Sequence, residues 1–135
     1  MGRILVVDDD DKVRELICEA LELHGHQVVA AGNGLCALES FGSGIFDVVI
    51  TDIVMPEKEG LETIIELRGI SPDVAILAIS GGGSFAPGGY LKSALMLGAD
   101  RALEKPFSLE LLLETVDELL ARPTPVSVAT AGGVS

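Results

Sequence analysis

Asp47-Val48-Val49-Ile50-Thr51-Asp52-Ile53-Val54-Met55-Pro56 decides the fold. Val48, Val49 and Ile50 are apolar without alternation, the pattern of a strand in a parallel sheet covered on both faces. Pro56 lacks a ladder donor and biases Met55 away from helical angles, so the strand ends near this point. Asp52 therefore sits where a buried strand meets a loop. The crevice beyond the carboxyl ends of parallel strands is where open α/β sheets place their ligands. Alone, such an acid reads equally well as a solvated loop residue or a cap.

The rest of the chain repeats the arrangement. Ile4 to Val7 is another unbroken apolar run, and it ends in Asp8, Asp9, Asp10 and Asp11. Val13, Leu16, Ile17, Ala20 and Leu21 then recur at helical spacing up to Gly25. Gln27 to Ala31 is a short second strand, and Leu35, Leu38 and Phe41 give a weaker second helix closed by Gly42 and Gly44. After the Asp52 segment, Leu61, Ile64 and Ile65 mark a third helix, ended by Gly69 and Pro72. Val74 to Ile79 is a fourth buried strand that stops at Ser80. Residues 81 to 89 hold five glycines and Pro87, which predicts a loop before a short fourth helix around Tyr90 to Leu97. Ala102 and Leu103 form a short fifth strand that ends at Lys105-Pro106. A last helix begins at Ser108 as N-cap, with Glu110 in its first turn. It carries Leu109, Leu112, Leu113, Val116, Leu119 and Leu120 on one side and stops at Pro123.

Five strands alternating with five helices predict an α/β fold: a single doubly wound, five-stranded parallel sheet with right-handed crossovers and helices on both faces. Residues 1–122 form the domain, and 123–135 read as a linker or C-terminal tail.

Composition narrows the function. Hydrophobic residues make up 48% of the chain and aromatics 4%, with no Trp, so the core is aliphatic. A net charge of −12 and only nine Lys and Arg argue against a nucleic-acid surface. Apolar runs fall far short of the ~20 residues that span a bilayer, so no membrane anchor is expected. Met1-Gly2-Arg3 leads straight into a strand, which leaves no room for a signal peptide, and Val6 breaks the myristoylation pattern. Cys18 and Cys36 lack metal or redox spacing and read as small apolar residues of a reducing, cytoplasmic protein.

Four strand ends carry polar groups: Asp8 and Asp9, Asp52, Ser80, and Lys105. With the flavodoxin-like order 2-1-3-4-5, the first and third strands are neighbours, and their carboxylates meet where the winding reverses. Three acids that close need a cation. All-oxygen ligands without His or Cys suit Mg²⁺ or Mn²⁺. A metal and a lysine around one carboxylate suit anionic oxygens, with Asp52 attacking an in-line phosphoryl group. The acidic run also reads as a helix N-terminus, and Ser80 as a turn residue; their joint placement favours the site.

Val6-Val7-Asp8-Asp9-Asp10, Thr51-Asp52-Ile53-Val54-Met55-Pro56 with Gly60, Ile79-Ser80, and Gly98-Ala99-Asp100 leading to Lys105-Pro106-Phe107 resemble the receiver domain of two-component response regulators, and its chemotaxis members in particular. The resemblance covers about residues 3 to 121. It implies that Asp52 accepts a phosphoryl group from a histidine kinase or phosphotransfer protein. It also implies that Asp8, Asp9, Asp52 and the backbone carbonyl of Val54 hold Mg²⁺, that Ser80 is the switch hydroxyl, and that Lys105 pairs with the phosphoryl oxygens. Pro106 is a candidate for a cis bond. The resemblance further implies an output protein or domain of unstated identity, and a homodimer through the fourth helix, fifth strand and last helix.

The chain departs from the family in three places. Ala102 stands where receivers carry a Tyr or Phe that swings inward on activation. The Gly81 to Gly89 stretch is longer than usual, and Glu59 replaces the customary Asp before Gly60. Two alternatives have their own marks. Asp8-x-Asp10 after a buried strand also resembles haloacid dehalogenase-type phosphatases, although only one helix follows Lys105. Ala102 is compatible with a receiver fold that acts as a phosphorylation-independent interaction module.

Overall fold

The computed structural model describes residues 2–42, 44–53, 60–80, 94–96 and 98–121. Their elements run β1 (Arg3–Val7), α1 (Asp11–Leu23), β2 (Gln27–Ala31), α2 (Gly34–Gly42), β3 (Val48–Asp52), α3 (Gly60–Ile70), β4 (Ala75–Ser80), β5 (Arg101–Glu104) and α4 (Leu109–Ala121). Residues 94–96 are helical, and the other positions of the helix expected around Tyr90 to Leu97 lie outside the described residues. So do the 81–89 loop and Pro123.

All strand pairs are parallel, in the order β2-β1-β3-β4-β5. The unbroken apolar runs explain why. Every residue of β3 and β4 is buried, so successive side chains supply two different layers. Leu5, Val7, Val49, Ile76 and Ala78 pack with Ala37 and Phe41 of α2, Ile64 and Leu67 of α3, and Ala94. Ile4, Val6, Ile50, Leu77 and Ile79 pack on the other face with Ile17 and Leu21 of α1 and Leu112, Val116 and Leu119 of α4. Ile50 is fully buried at the centre of this second layer. Truncating it to Ala would cost about 2–5 kcal/mol through lost burial and the cavity left behind.

The helix stripes are narrower than their sequence patterns suggest. Leu16, Leu35 and Ile65 fit the helical periodicity, yet each is more than half exposed or close to it, while Ala37 and Thr63 face inward. A helix on a sheet buries only one stripe, and Leu or Ile at its margin still satisfies a 3.6-residue period. Helix α3 also continues through Gly69 to Ile70 rather than stopping at the glycine. Gly25, by contrast, has φ +91°, a left-handed conformation that accommodates the turn after α1. Cys18 is half-buried and Cys36 exposed. Among the described residues no helix is long and apolar enough to cross a membrane.

At the amino ends of β4 and β5, Arg68 donates to the carbonyls of Pro72 (2.8 Å), Val74 (2.6 Å) and Gly98 (2.7 Å) and to Asp100 Oδ2 (3.0 Å). The same Asp100 oxygen accepts the Ile76 N–H at 2.8 Å. Arg68 and Asp100 thus tie α3 to both strands at the edge opposite Asp52, and the sequence reading had singled out only Asp100.

Candidate functional site

The carboxyl ends of β1, β3, β4 and β5 meet at one edge because the register leaves little stagger. Val7 pairs with Thr51, Asp52 with Ile79, and Ser80 with Glu104. Asp8 and Asp52 follow or end adjacent buried strands and are themselves buried, whereas Asp9 is exposed. Carboxylate oxygens of Asp8, Asp9 and Asp52 all lie within 4.8 Å of one another. Ser80 is buried at the end of β4, and its carbonyl accepts the Lys105 N–H at 2.7 Å. The Lys105-Pro106 bond is cis.

Lys105 Nζ donates to Asp8 Oδ2 at 3.1 Å and to Asp52 Oδ2 at 3.2 Å. Partial burial alone would depress its pKa. The hydrogen bond to Asp8 and the charge of Asp52 outweigh that effect, so the ammonium is held above the ordinary lysine value. One ammonium cannot neutralise three carboxylates. Two like charges 4.8 Å apart repel by about 3 kcal/mol at an effective dielectric of 20, so acids this close favour a bound cation. A divalent cation would relieve that repulsion. The all-oxygen donor set, with two buried acids and one exposed acid that can turn to an ion, fits Mg²⁺ or Mn²⁺ and not a nitrogen- or sulfur-preferring metal. Val54, whose carbonyl the family resemblance assigns to the metal, lies outside the described residues.

The acidic run divides its work. Asp10 is the N-cap of α1, its Oδ1 accepting the N–H groups of Lys12 (3.0 Å) and Val13 (3.2 Å). Asp11 lies in the first turn and pairs with Arg14. Asp8 and Asp9 turn to the site instead. The cap reading thus holds for Asp10, while Asp8 and Asp9 stand beside Asp52 in the acidic cluster. Sequence reasoning passed over Arg14, which donates to the Asp8 carbonyl at 2.7 Å. A lone arginine just after four aspartates reads as simple charge balance, and nothing in the spacing marks its target.

The response regulator receiver domain model matches residues 4–117. The chain belongs to the response regulator receiver family. It is 39% identical over 127 residues to the response regulator MprA of Mycobacterium tuberculosis, covering 94% of this chain and 54% of that protein. The chain therefore spans about half the length of that relative. Among solved structures it is similar to the chemotaxis protein CheY4 of Vibrio cholerae, with a TM-score of 0.80 and 30% identity over 89% of this chain and 99% of that one. A CheY-like receiver domain protein from Methanospirillum hungatei superposes with a TM-score of 0.82 at 28% identity, covering 89% and 94%. Receiver domains are signalling domains of two-component systems rather than classical enzymes, which favours that reading over a haloacid dehalogenase-type phosphatase.

Proposed function

We propose that this receiver takes a phosphoryl group on Asp52 from a histidine kinase or histidine phosphotransfer protein, with Mg²⁺ or Mn²⁺ held by Asp8, Asp9, Asp52 and the Val54 carbonyl. The observation that carries the reading is the single Lys105 ammonium shared by Asp8 and Asp52 beside the exposed Asp9. An Asp52 carboxylate oxygen attacks phosphorus; the new O–P bond forms as the N–P bond to the donor imidazole breaks, and the imidazole leaves with the bonding electron pair. The metal, when bound, supplies charge neutralisation for the phosphoryl oxygens. Lys105 is positioned to transfer its hydrogen bonds from the carboxylates to a phosphoryl oxygen, and the Ser80 hydroxyl donates to another. Beyond its own phosphorylation and dephosphorylation the domain catalyses nothing.

The donor's approach is supported by an apolar groove of about 250 Å³ beside the site. It lies between Val13, Leu16 and Ile17 of α1 and Lys105, Pro106, Phe107 and Leu109. Lys105 is a wall of the groove and a ligand of Asp52, so a helix seated there presents its histidine next to the acceptor. The output surface, for a partner or a second copy of this chain, is the face formed by the helix holding residues 94–96, β5 and α4. Leu95, Met96 and Leu111 are exposed there.

Transfer from a phosphorylated histidine phosphotransfer protein and from acetyl phosphate tests this directly. Both should require Mg²⁺ and Asp52. Leu16→Glu should slow the protein donor several-fold and leave acetyl phosphate unaffected. Metal-independent transfer, or labelling away from Asp52, would refute the reading.

A further inference from the structure

We infer that Arg14 is a positioning residue of the acidic site, fixing the backbone on which the exposed metal acid Asp9 stands. The inference rests on the metal-dependent reading of the site given above. Asp9 is flanked by two peptide units, and each is held by a different anchor. The N–H of Asp10, in the unit after Asp9, donates to Asp8 Oδ1 at 2.9 Å. The carbonyl of Asp8, in the unit before Asp9, accepts from Arg14 Nη1 at 2.7 Å. Arg14 also donates its own backbone N–H to the Asp10 carbonyl at 2.9 Å, so one residue of α1 grips the turn on both sides of Asp9. The Asp9 carboxylate makes no hydrogen bond or ion pair among the described residues, so its reach is set by its backbone and its own rotamer alone.

The alternative is that Arg14 merely balances charge. Its ion-pair partner is Asp11, whose side chain is 78% exposed, while the Arg14 side chain is only 21% exposed. A pair with so exposed a partner contributes little and does not account for burying a guanidinium. The guanidinium reaches past Asp11 to the far side of the turn: a Cβ on Gly32, just after β2, would lie 3.6 Å from Nη1. There it meets the Asp8 carbonyl at a strong, charge-assisted distance. With the Asp8 N–H bound to the Ala31 carbonyl at 3.2 Å and Oδ2 bound to Lys105, all the polar groups of Asp8 are engaged. Arg14 closes that set.

The two roles predict opposite signs. Removing a positive charge near a cation site tightens cation binding by Coulomb's law alone, whereas removing a group that orients a ligand weakens it. Calorimetric Mg²⁺ titration of the whole chain separates them. Arg14→Met should weaken Mg²⁺ roughly tenfold, the range for loss of an outer-shell partner. Arg14→Lys, which keeps the charge but not the planar fork, should fall between Arg14→Met and wild type. Asp11→Asn, which cuts the ion pair and spares the Asp8 contact, should stay within about twofold. Without metal, the Asp8 carbonyl carbon and Asp9 amide resonances should move in both Arg14 variants, and these shifts in Arg14→Lys carry the test if Arg14→Met does not fold. Unchanged or tighter Mg²⁺ binding in the Arg14 variants, or unmoved Asp8 and Asp9 resonances, would overturn the role while leaving the metal site standing. Absence of saturable Mg²⁺ binding in wild type would overturn the metal site and this role with it.

Discussion

The Lys105 ammonium donates to Asp52 Oδ2 across 3.2 Å, joining two residues 53 positions apart and two strands with β4 between them. The same ammonium also holds Asp8, so it compensates two buried carboxylates at once. Lys105→Ala should therefore destabilise the metal-free protein by about 2–4 kcal/mol, as loss of one partner from a largely buried pair does. Millimolar Mg²⁺ should return part of that stability through binding to the folded state. Urea melts with and without Mg²⁺ measure both effects. The variant should still be phosphorylated, more slowly, because the lysine supplies charge and position rather than the nucleophile.

Asp9→Ala removes the exposed acid of the proposed metal site and, with it, repulsion on Asp8 and Asp52. Its Mg²⁺ affinity should fall at least tenfold while its metal-free midpoint stays level or rises. Equal affinities in wild type and variant would sink the assignment of Asp9 to the metal.

Much of this was legible in the sequence because buried parallel strands leave an unmistakable mark. Val48 to Ile50 and Val74 to Ile79 are continuous apolar runs, and each leads within two residues to a polar residue at the site edge, Asp52 and Ser80. The positions of Asp8, Asp52, Ser80 and Lys105 follow once the strand ends share an edge. Helix margins were not legible: Leu16, Leu35 and Ile65 have the right period and still face solvent. Arg14 and Arg68 escaped for a different reason. Both act mainly on backbone carbonyls, which every residue offers, so no partner residue type marks their targets.

His26 gives the fold an acid-sensitive point remote from Asp52. It is buried, its Nδ1 accepts the Gly2 N–H at 3.0 Å, and its Nε2 has no hydrogen-bond partner among the described residues. Burial lowers its pKa; His24 adds to the shift and Asp117 opposes it. A base depressed on folding contributes stability that is present above its unfolded value, about 6.5, and lost as pH falls through the folded value. Wild type should therefore lose more stability than His26→Gln between pH 7 and 5. Parallel pH dependences in denaturant melts of the two proteins would contradict this.

Ala102 offers only a methyl group, packed at the edge of the layer that includes Ala94. With no ring to move, activation should reach the face of β5 and α4 through residues 81–89, the long glycine-rich stretch whose ordering carries a high entropy cost. Hydrogen exchange with and without beryllofluoride and Mg²⁺ should show strong new protection within 81–89. A response confined to residues 101–104 would oppose it.

The proposed metal-dependent phosphorylation of Asp52 can be measured outright. The most direct measurement is intact mass and peptide mapping after incubation with acetyl phosphate and Mg²⁺. The expected result is a gain of a single phosphoryl group, located on Asp52, abolished by chelation of Mg²⁺ and absent in Asp52→Asn. An unmodified wild-type protein, or a phosphoryl group that persists at the normal rate in Asp52→Asn, would contradict it.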